Sequence, residues 1–244
     1  MTLARAIRGV LFDLDGTIRI NLPSAGEVFD SFVASQGVHL SSEDRLLAAR
    51  WEHYYFANST EIRADRALYD GREDAFWTNF GRRRLTALGL PSDGSDSLAV
   101  DVADHMRLNY QPRSHVPEGV KDLMRDLRLA GLTLGVVSNR STSYVLELEE
   151  LGLAMLVDFS LAAGEVGSWK PHPEIFLEAV RRAHIAPSAA AYVGDNYFAD
   201  VVGARGSGLL PVLYDPGEVF PEADCSVIRS FDELPNILGV LNMP

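Results

Sequence analysis

Short apolar runs, each closed by polar or turn residues and each separated from the next by a helical pattern, restrict this chain more than any other feature. The clearest are Gly9–Phe12, Leu132–Val137, Ala190–Val193 and Leu209–Leu213, with weaker ones at Phe159–Leu161 and Ser226–Ile228. Continuous apolar runs of this length suit strands covered on both faces. Between them, Pro117–Ala130 has Pro at its first turn and Gly131 at the position of a C-terminal cap. Ser143–Leu151 ends at Gly152, and Phe198–Arg205 ends near Gly206. Pro173–His184 carries Ile175, Phe176, Ala179, Val180 and Ala183 at helical spacing. Strands alternating with helices predict an α/β fold built on a doubly wound parallel sheet.

The stretch 19–115 breaks this rhythm. It shows no convincing strand. Ser24-Ala25-Gly26-Glu27 reads as a capping box opening a helix through Ala34. Ser41 or Ser42 caps a second helix running to about Phe56, and Glu73–Leu88 and Asp96–Tyr110 form two more. Gly89-Leu90-Pro91-Ser92-Asp93-Gly94 is the loop between the last two. The expected organisation is a core of residues 1–18 and 116–244, interrupted by an all-helical insertion at 19–115.

The ends of the predicted strands collect polar residues. Gly9–Phe12 runs straight into Asp13-Leu14-Asp15-Gly16-Thr17. Val137 is followed by Ser138-Asn139, and Val193 by Gly194-Asp195-Asn196 with Asp200 just beyond. Lys170-Pro171 precedes the Pro173 helix. In a parallel sheet these strand ends share one edge, where open α/β folds bind their ligands.

The set suits phosphoryl transfer. A phosphate monoester carries about two negative charges that repel an attacking carboxylate, and Mg²⁺ held by hard oxygen ligands offsets them. Asp13 and Asp195 supply such ligands, and Lys170 adds a point cation. Ser138 and the backbone N–H groups around Asn139 and Leu14–Asp15 could hold phosphoryl oxygens. Asp13 would attack phosphorus to give an aspartyl-phosphate. Asp15 could protonate the leaving oxygen and then activate water.

Charge and composition narrow the partners. The formal net charge is −12, which argues against nucleic acid or an anionic membrane. No run reaches the roughly 18 apolar residues of a membrane span. The single cysteine, Cys225, allows no internal disulfide and reads as a small buried or half-buried apolar residue. A reducing, cytoplasmic location is expected. Of 22 Lys and Arg residues only Lys121 and Lys170 are lysines. A chain that otherwise uses Arg keeps Lys at the position where the chemistry asks for one, and Lys121 reads as a solvated helix residue.

Taken together, Asp13-x-Asp15-Gly-Thr17, Ser138-Asn139, Lys170-Pro171 and Gly194-Asp195-x4-Asp200, in that order, resemble the haloacid dehalogenase-like (HAD) hydrolase superfamily. The helical insertion resembles the C1 cap of the subgroup that includes phosphoglycolate phosphatase. The resemblance runs from about Gly9 to Ile237 and implies a Rossmann-like core, with the cap acting as a lid. It implies that Asp13 is the nucleophile and a Mg²⁺ ligand, and that Asp15 is the acid/base and lends its backbone carbonyl to the metal. It also implies that Thr17 and Ser138 contact the phosphoryl group, that Lys170 bridges it to Asp13, and that Asp195 completes the metal site. Asp200, with Asn196 beside Asp195, would support that site from behind. In this superfamily the residue two after the nucleophile sorts the reactions. Phosphatases and phosphomutases have Asp there, as Asp15 is here, whereas dehalogenases and phosphonatases do not. Phosphonatases instead use a cap lysine, and residues 19–115 contain none.

The expected function is a Mg²⁺-dependent phosphatase acting on a small phosphorylated metabolite. A phosphomutase is the nearest rival, and a phospho-receiver domain is a rival from another class. Arg19 lies close to the site and is expected to face the substrate or the cap hinge. Asn21, His53, Tyr54 and Arg63 are candidate substrate contacts. His172 reads as a loop residue, the aromatic group Trp51, Tyr54, Tyr55, Phe56, Trp77 and Phe80 as core of the insertion, and Arg82-Arg83-Arg84 as an exposed helix face. Oligomeric state is not legible.

Overall fold

A computed structural model describes residues 7–91 and 96–239. The loop expected from Gly89 to Gly94 therefore lies partly outside the described residues. The chain divides into two compact units, one comprising Asn21–Arg113 and the other the chain on either side of it.

The larger unit holds a six-stranded sheet. Its strands are β1 (Gly9–Phe12), β4 (Thr133–Ser138), β5 (Phe159–Ala162), β6 (Ala190–Gly194), β7 (Leu210–Tyr214) and β8 (Ser226–Ile228), ordered β5-β4-β1-β6-β7-β8. Every pairing between neighbours is parallel. From β1 the chain builds outward to one side through β4 and β5, then returns to β6 on the other side of β1. β1 is thus the point where the winding reverses, the place where doubly wound sheets open a crevice.

Both faces of this sheet are buried. Alternation along β1 sends Val10 and Phe12 into one apolar cluster and Leu11 into the other. α6 (Val120–Leu129) covers the first face with Val120, Leu123, Met124 and Leu127. α9 (Pro173–Arg182) covers the second with Ile175, Phe176, Ala179 and Val180. Burial on both faces is why the strands read as unbroken apolar runs. The short helices α7 (Val145–Glu150), α8 (Ala163–Val166), α10 (Val202–Gly206) and α11 (Leu234–Leu238) complete the unit.

The helical unit contains α1 (Ala25–Ser35), α2 (Ser42–Phe56), α3 (Thr60–Leu68), α4 (Glu73–Ala87) and α5 (Asp96–Asn109). Capping boxes at Ser24/Glu27 and Ser41/Asp44 start α1 and α2. Helix α3, capped by Ser59, and two short strands, β2 (Ile20–Leu22) and β3 (Arg113–His115), were not evident in the sequence. The strands pair with each other as a separate sheet. Three residues each carry too little periodicity to register.

One expectation fails here. Arg82-Arg83-Arg84 is not an exposed face. Arg84 is buried, donating to Asp30 at 2.5 Å and to Glu52 at 3.0 Å, with its guanidinium over the Phe29 ring. Arg83 pairs with buried Asp65, which also accepts from the Tyr55 hydroxyl. Helix α4 turns these cations toward its neighbours because α1 offers Asp30 and the Phe29 ring, α2 offers Glu52 and α3 offers Asp65. The aromatic group divides as well. Tyr55 and Phe80 are buried, whereas Tyr54 and Trp77 stay exposed.

Candidate active site

The loop after β1 is built to fix its side chains. The Asp13 N–H continues the ladder, donating to the Val193 carbonyl at 2.8 Å. Leu14 and Ile18 are buried in the core, anchoring the loop on both sides of the turn. Gly16 adopts φ +91° and donates to the Arg19 carbonyl at 2.8 Å. A Cβ at Gly16 would sit 2.3 Å from the Asp195 carboxylate. Glycine is required here both for the positive φ and for the close approach of β6's terminal loop.

The polar residues of four separate segments meet at this edge. Lys170 is buried, with its Nζ 2.6 Å from Asp13 Oδ1 and 2.6 Å from Asp200 Oδ1. Its backbone is clamped by Asn139, whose Oδ1 accepts from Lys170 N at 2.6 Å and whose Nδ2 donates to the Lys170 carbonyl at 3.1 Å. The Asn139 side chain thus places Lys170, while the phosphate contact expected here concerns the backbone N–H groups around it. Thr17 Oγ1 donates to Asp195 Oδ1 at 3.2 Å and accepts from Asp195 N at 3.0 Å, tying the β1 loop to the β6 loop.

Asp200, expected to support the metal site from behind, lies against Lys170. Oxygens of Asp13, Asp195 and Asp200 lie within 4.8 Å of one another. The expected helix from Phe198 begins instead as a π-helical turn, Tyr197–Val201, leading into α10. Asn196 starts this turn by accepting from Phe198 N and Ala199 N, and its own N–H donates to Asp200 Oδ2 at 2.9 Å. The wide turn leaves Asp200 facing Lys170. Single π turns of this kind recur at functional sites.

Three clustered carboxylates share one ammonium. Burial raises the Asp13 carboxyl well above the usual range, against the pull of Lys170. Burial, with the Asp200 charge next, pushes Asp195 up to about 7. The cluster is short of positive charge, and its hard oxygen donors are those a divalent cation selects.

Asp15 stands apart from the cluster. Arg140 grips its carboxylate as a fork, Nε to Oδ2 at 2.8 Å and Nη2 to Oδ1 at 2.7 Å. Arg19 Nη1 reaches Oδ1 at 3.3 Å, and Ser138 Oγ lies 3.5 Å from Oδ2. Arg140 and Arg19 both pair with Glu147. Sequence reading missed Arg140 and Glu147; Arg19, expected to face the substrate or the cap hinge, pairs with both carboxylates and donates to Ser114 Oγ at the end of the insertion. The available signal was slight: Arg140 directly follows Ser138-Asn139. The remaining candidates, Asn21, His53, Tyr54 and Arg63, lie in the helical unit. His172 is exposed at the start of α9.

A model of the family described as haloacid dehalogenase-like hydrolase matches residues 7–208. Phosphoglycolate phosphatase of Salmonella typhi is 27% identical over 100% of this chain and 96% of its own length. A HAD phosphatase from Thermococcus onnurineus superposes with TM-score 0.55 at 26% identity, covering 96% of this chain and 98% of that one. A 2-haloacid dehalogenase from Pseudomonas syringae pv. Tomato superposes with TM-score 0.54, also at 26% identity, covering 97% of this chain and 100% of that one. Among the described residues no helix is long and apolar enough to cross a membrane.

Proposed function

We propose that this chain, which belongs to the haloacid dehalogenase-like hydrolase family, is a Mg²⁺-dependent phosphatase that hydrolyses a small phosphorylated metabolite through an aspartyl-phosphate on Asp13. The observation that carries the reading is the buried contact of Lys170 with Asp13 and Asp200 beside Asp195. A nucleophile, a cation and a hard-oxygen donor set occupy one sheet edge.

Asp13 and Asp195, with the Asp15 backbone carbonyl, would hold Mg²⁺, and Asp200 would orient Lys170 behind them. Bound there, Mg²⁺ neutralises phosphoryl charge. Thr17, Ser138 and the backbone N–H groups near Leu14–Asp15 and Asn139 would take the phosphoryl oxygens. An Asp13 oxygen attacks phosphorus, the P–O bond to the leaving group breaks, and Asp15 gives that oxygen a proton. Asp15 then takes a proton from the water that cleaves the aspartyl-phosphate. Asp15 also separates this reading from the dehalogenase one, since a departing halide needs no proton.

Phosphate release from a panel of phosphorylated metabolites, phosphoglycolate included, with and without Mg²⁺, tests the reading. Mg²⁺-dependent release is expected. A phosphoryl group returned to product, or a long-lived phosphoprotein with no release, contradicts it.

The raised carboxyls set the pH dependence of metal binding. Asp195, at about 7 without metal, must lose its proton to bind a cation. Mg²⁺ affinity is therefore expected to rise with pH through that value. Below it, up to roughly tenfold is lost per pH unit. Calorimetric titrations at about pH 6 and about pH 8 check this, and equal affinities contradict it.

A further inference from the structure

We infer that Arg140, braced by Glu147, is the positioning residue for the Asp15 carboxylate, an inference that rests on the acid/base role proposed above for Asp15. The Asp15 backbone is held by its buried neighbour Leu14, but its side chain is 41% exposed. No packed wall sets the plane of that carboxylate, so its partners must. The Arg140 fork occupies both oxygens and fixes the plane, which a point contact cannot do.

Arg140 is itself anchored. Its backbone N–H donates to Ser138 Oγ at 3.3 Å, its guanidinium carbon lies 5.7 Å from the centre of the Tyr144 ring, and Nη1 donates to Glu147. Glu147 is carried by α7, whose Leu148 is buried in the core. Arg19 closes the ring, pairing with Glu147 Oε1 at 2.9 Å and donating to Ser114 Oγ at 2.7 Å. The Arg140 contact holds Glu147 below the usual carboxylate range, so Glu147 stays charged as a brace.

An isolated exposed ion pair contributes little. This one is a forked pair within a network tied to the core at several points. Two guanidiniums face two carboxylates, so the network carries no net charge once Asp15 has given up its proton. Its effect is geometric, on where Asp15 points. That predicts a signature. In forming the aspartyl-phosphate from an alkyl monoester, an oxygen of Asp13 bonds to phosphorus, the bond to the alkoxide breaks, and the alkoxide takes the Asp15 proton. Acetate leaving from acetyl phosphate needs no such proton.

The test is single-turnover phosphoenzyme formation by rapid quench, in the Mg²⁺-loaded full chain. The two substrates are acetyl phosphate and the alkyl monoester that the wild type turns over fastest. Arg140→Gln is expected to slow the alkyl reaction by about 10- to 100-fold, the scale of a misplaced group, with the apparent KM moving less than about threefold. The slowing is expected to be at least about tenfold greater than with acetyl phosphate. Arg140→Lys keeps the charge but lacks the fork, so it should show the same selectivity. Glu147→Gln should show it in weaker form, and these two variants decide the matter if Arg140→Gln fails to fold. Equal slowing with both substrates, or none, overturns the inference. Failure of the wild type to form a phosphoenzyme from either substrate overturns the Asp13 reading instead, and the inference with it.

Discussion

Replacing Asp13 with Asn is expected to abolish turnover, by about 10⁴-fold or more, the scale on which enzymes lose rate when a nucleophile is removed. The fold should survive. Asn is close to isosteric, and its amide oxygen can still accept from Lys170, which keeps Asp200 as its charged partner. The substitution also removes one of three clustered carboxylates that lie beside one ammonium. Burial holds Asp13 well above the usual carboxylate range, so the charge is costly to the metal-free protein. Thermal unfolding of the variant without metal should match the wild type or exceed it, while Mg²⁺ binds more weakly. Phosphate release above about 1% of the wild-type rate contradicts the nucleophile assignment. A collapse in thermal stability contradicts the electrostatic account of the cluster.

Lys170→Met is expected to do the opposite to stability. It leaves Asp13, Asp195 and Asp200 within 4.8 Å of one another with no ammonium among them. Breaking a buried ion pair from one side costs about 3–5 kcal/mol. For a chain of this size that is a fall of about 10 °C in Tm without metal. The cost should shrink at about pH 5, where Asp195, pushed up to about 7, takes up a proton, and grow at about pH 8. Saturating Mg²⁺ should recover part of it by replacing the lost charge. Activity should fall by about 10²-fold or more, because the cation beside the transferring phosphoryl group is gone. Differential scanning calorimetry in chelator and in Mg²⁺ measures both terms. A metal-free Tm within about 2 °C of the wild type contradicts the assigned role of Lys170.

How much of this could be read from the residues alone depends on the range of the signal. The parallel sheet was legible because strands buried on both faces must be apolar throughout, and Gly9–Phe12 and Ala190–Gly194 are. The shared site edge then followed from topology. Lys170 was legible because a chain rich in Arg keeps only two lysines. The contact of Asp200 with Lys170 was not legible, since the π-helical turn that makes it depends on Asn196 caps that no periodicity reveals.

The pairings of arginines were the least legible. Arg140 meets Asp15 across 125 positions. Arg84 meets Asp30 across 54. Such partners leave no local trace, and an isolated Arg-rich run looks the same whether it faces water or a buried carboxylate. The same limit hid Glu147, which sits on α7 among other acidic residues, Glu149 and Glu150.

Mass spectrometry of the acid-quenched protein during turnover with Mg²⁺ and acetyl phosphate tests directly whether Asp13 is the nucleophile. A transient phosphoryl group is expected on the peptide containing Asp13, formed and lost at rates consistent with phosphate release and absent from Asp13→Asn. Turnover without phosphorylation of that peptide, or phosphorylation that persists while release continues, would contradict that role.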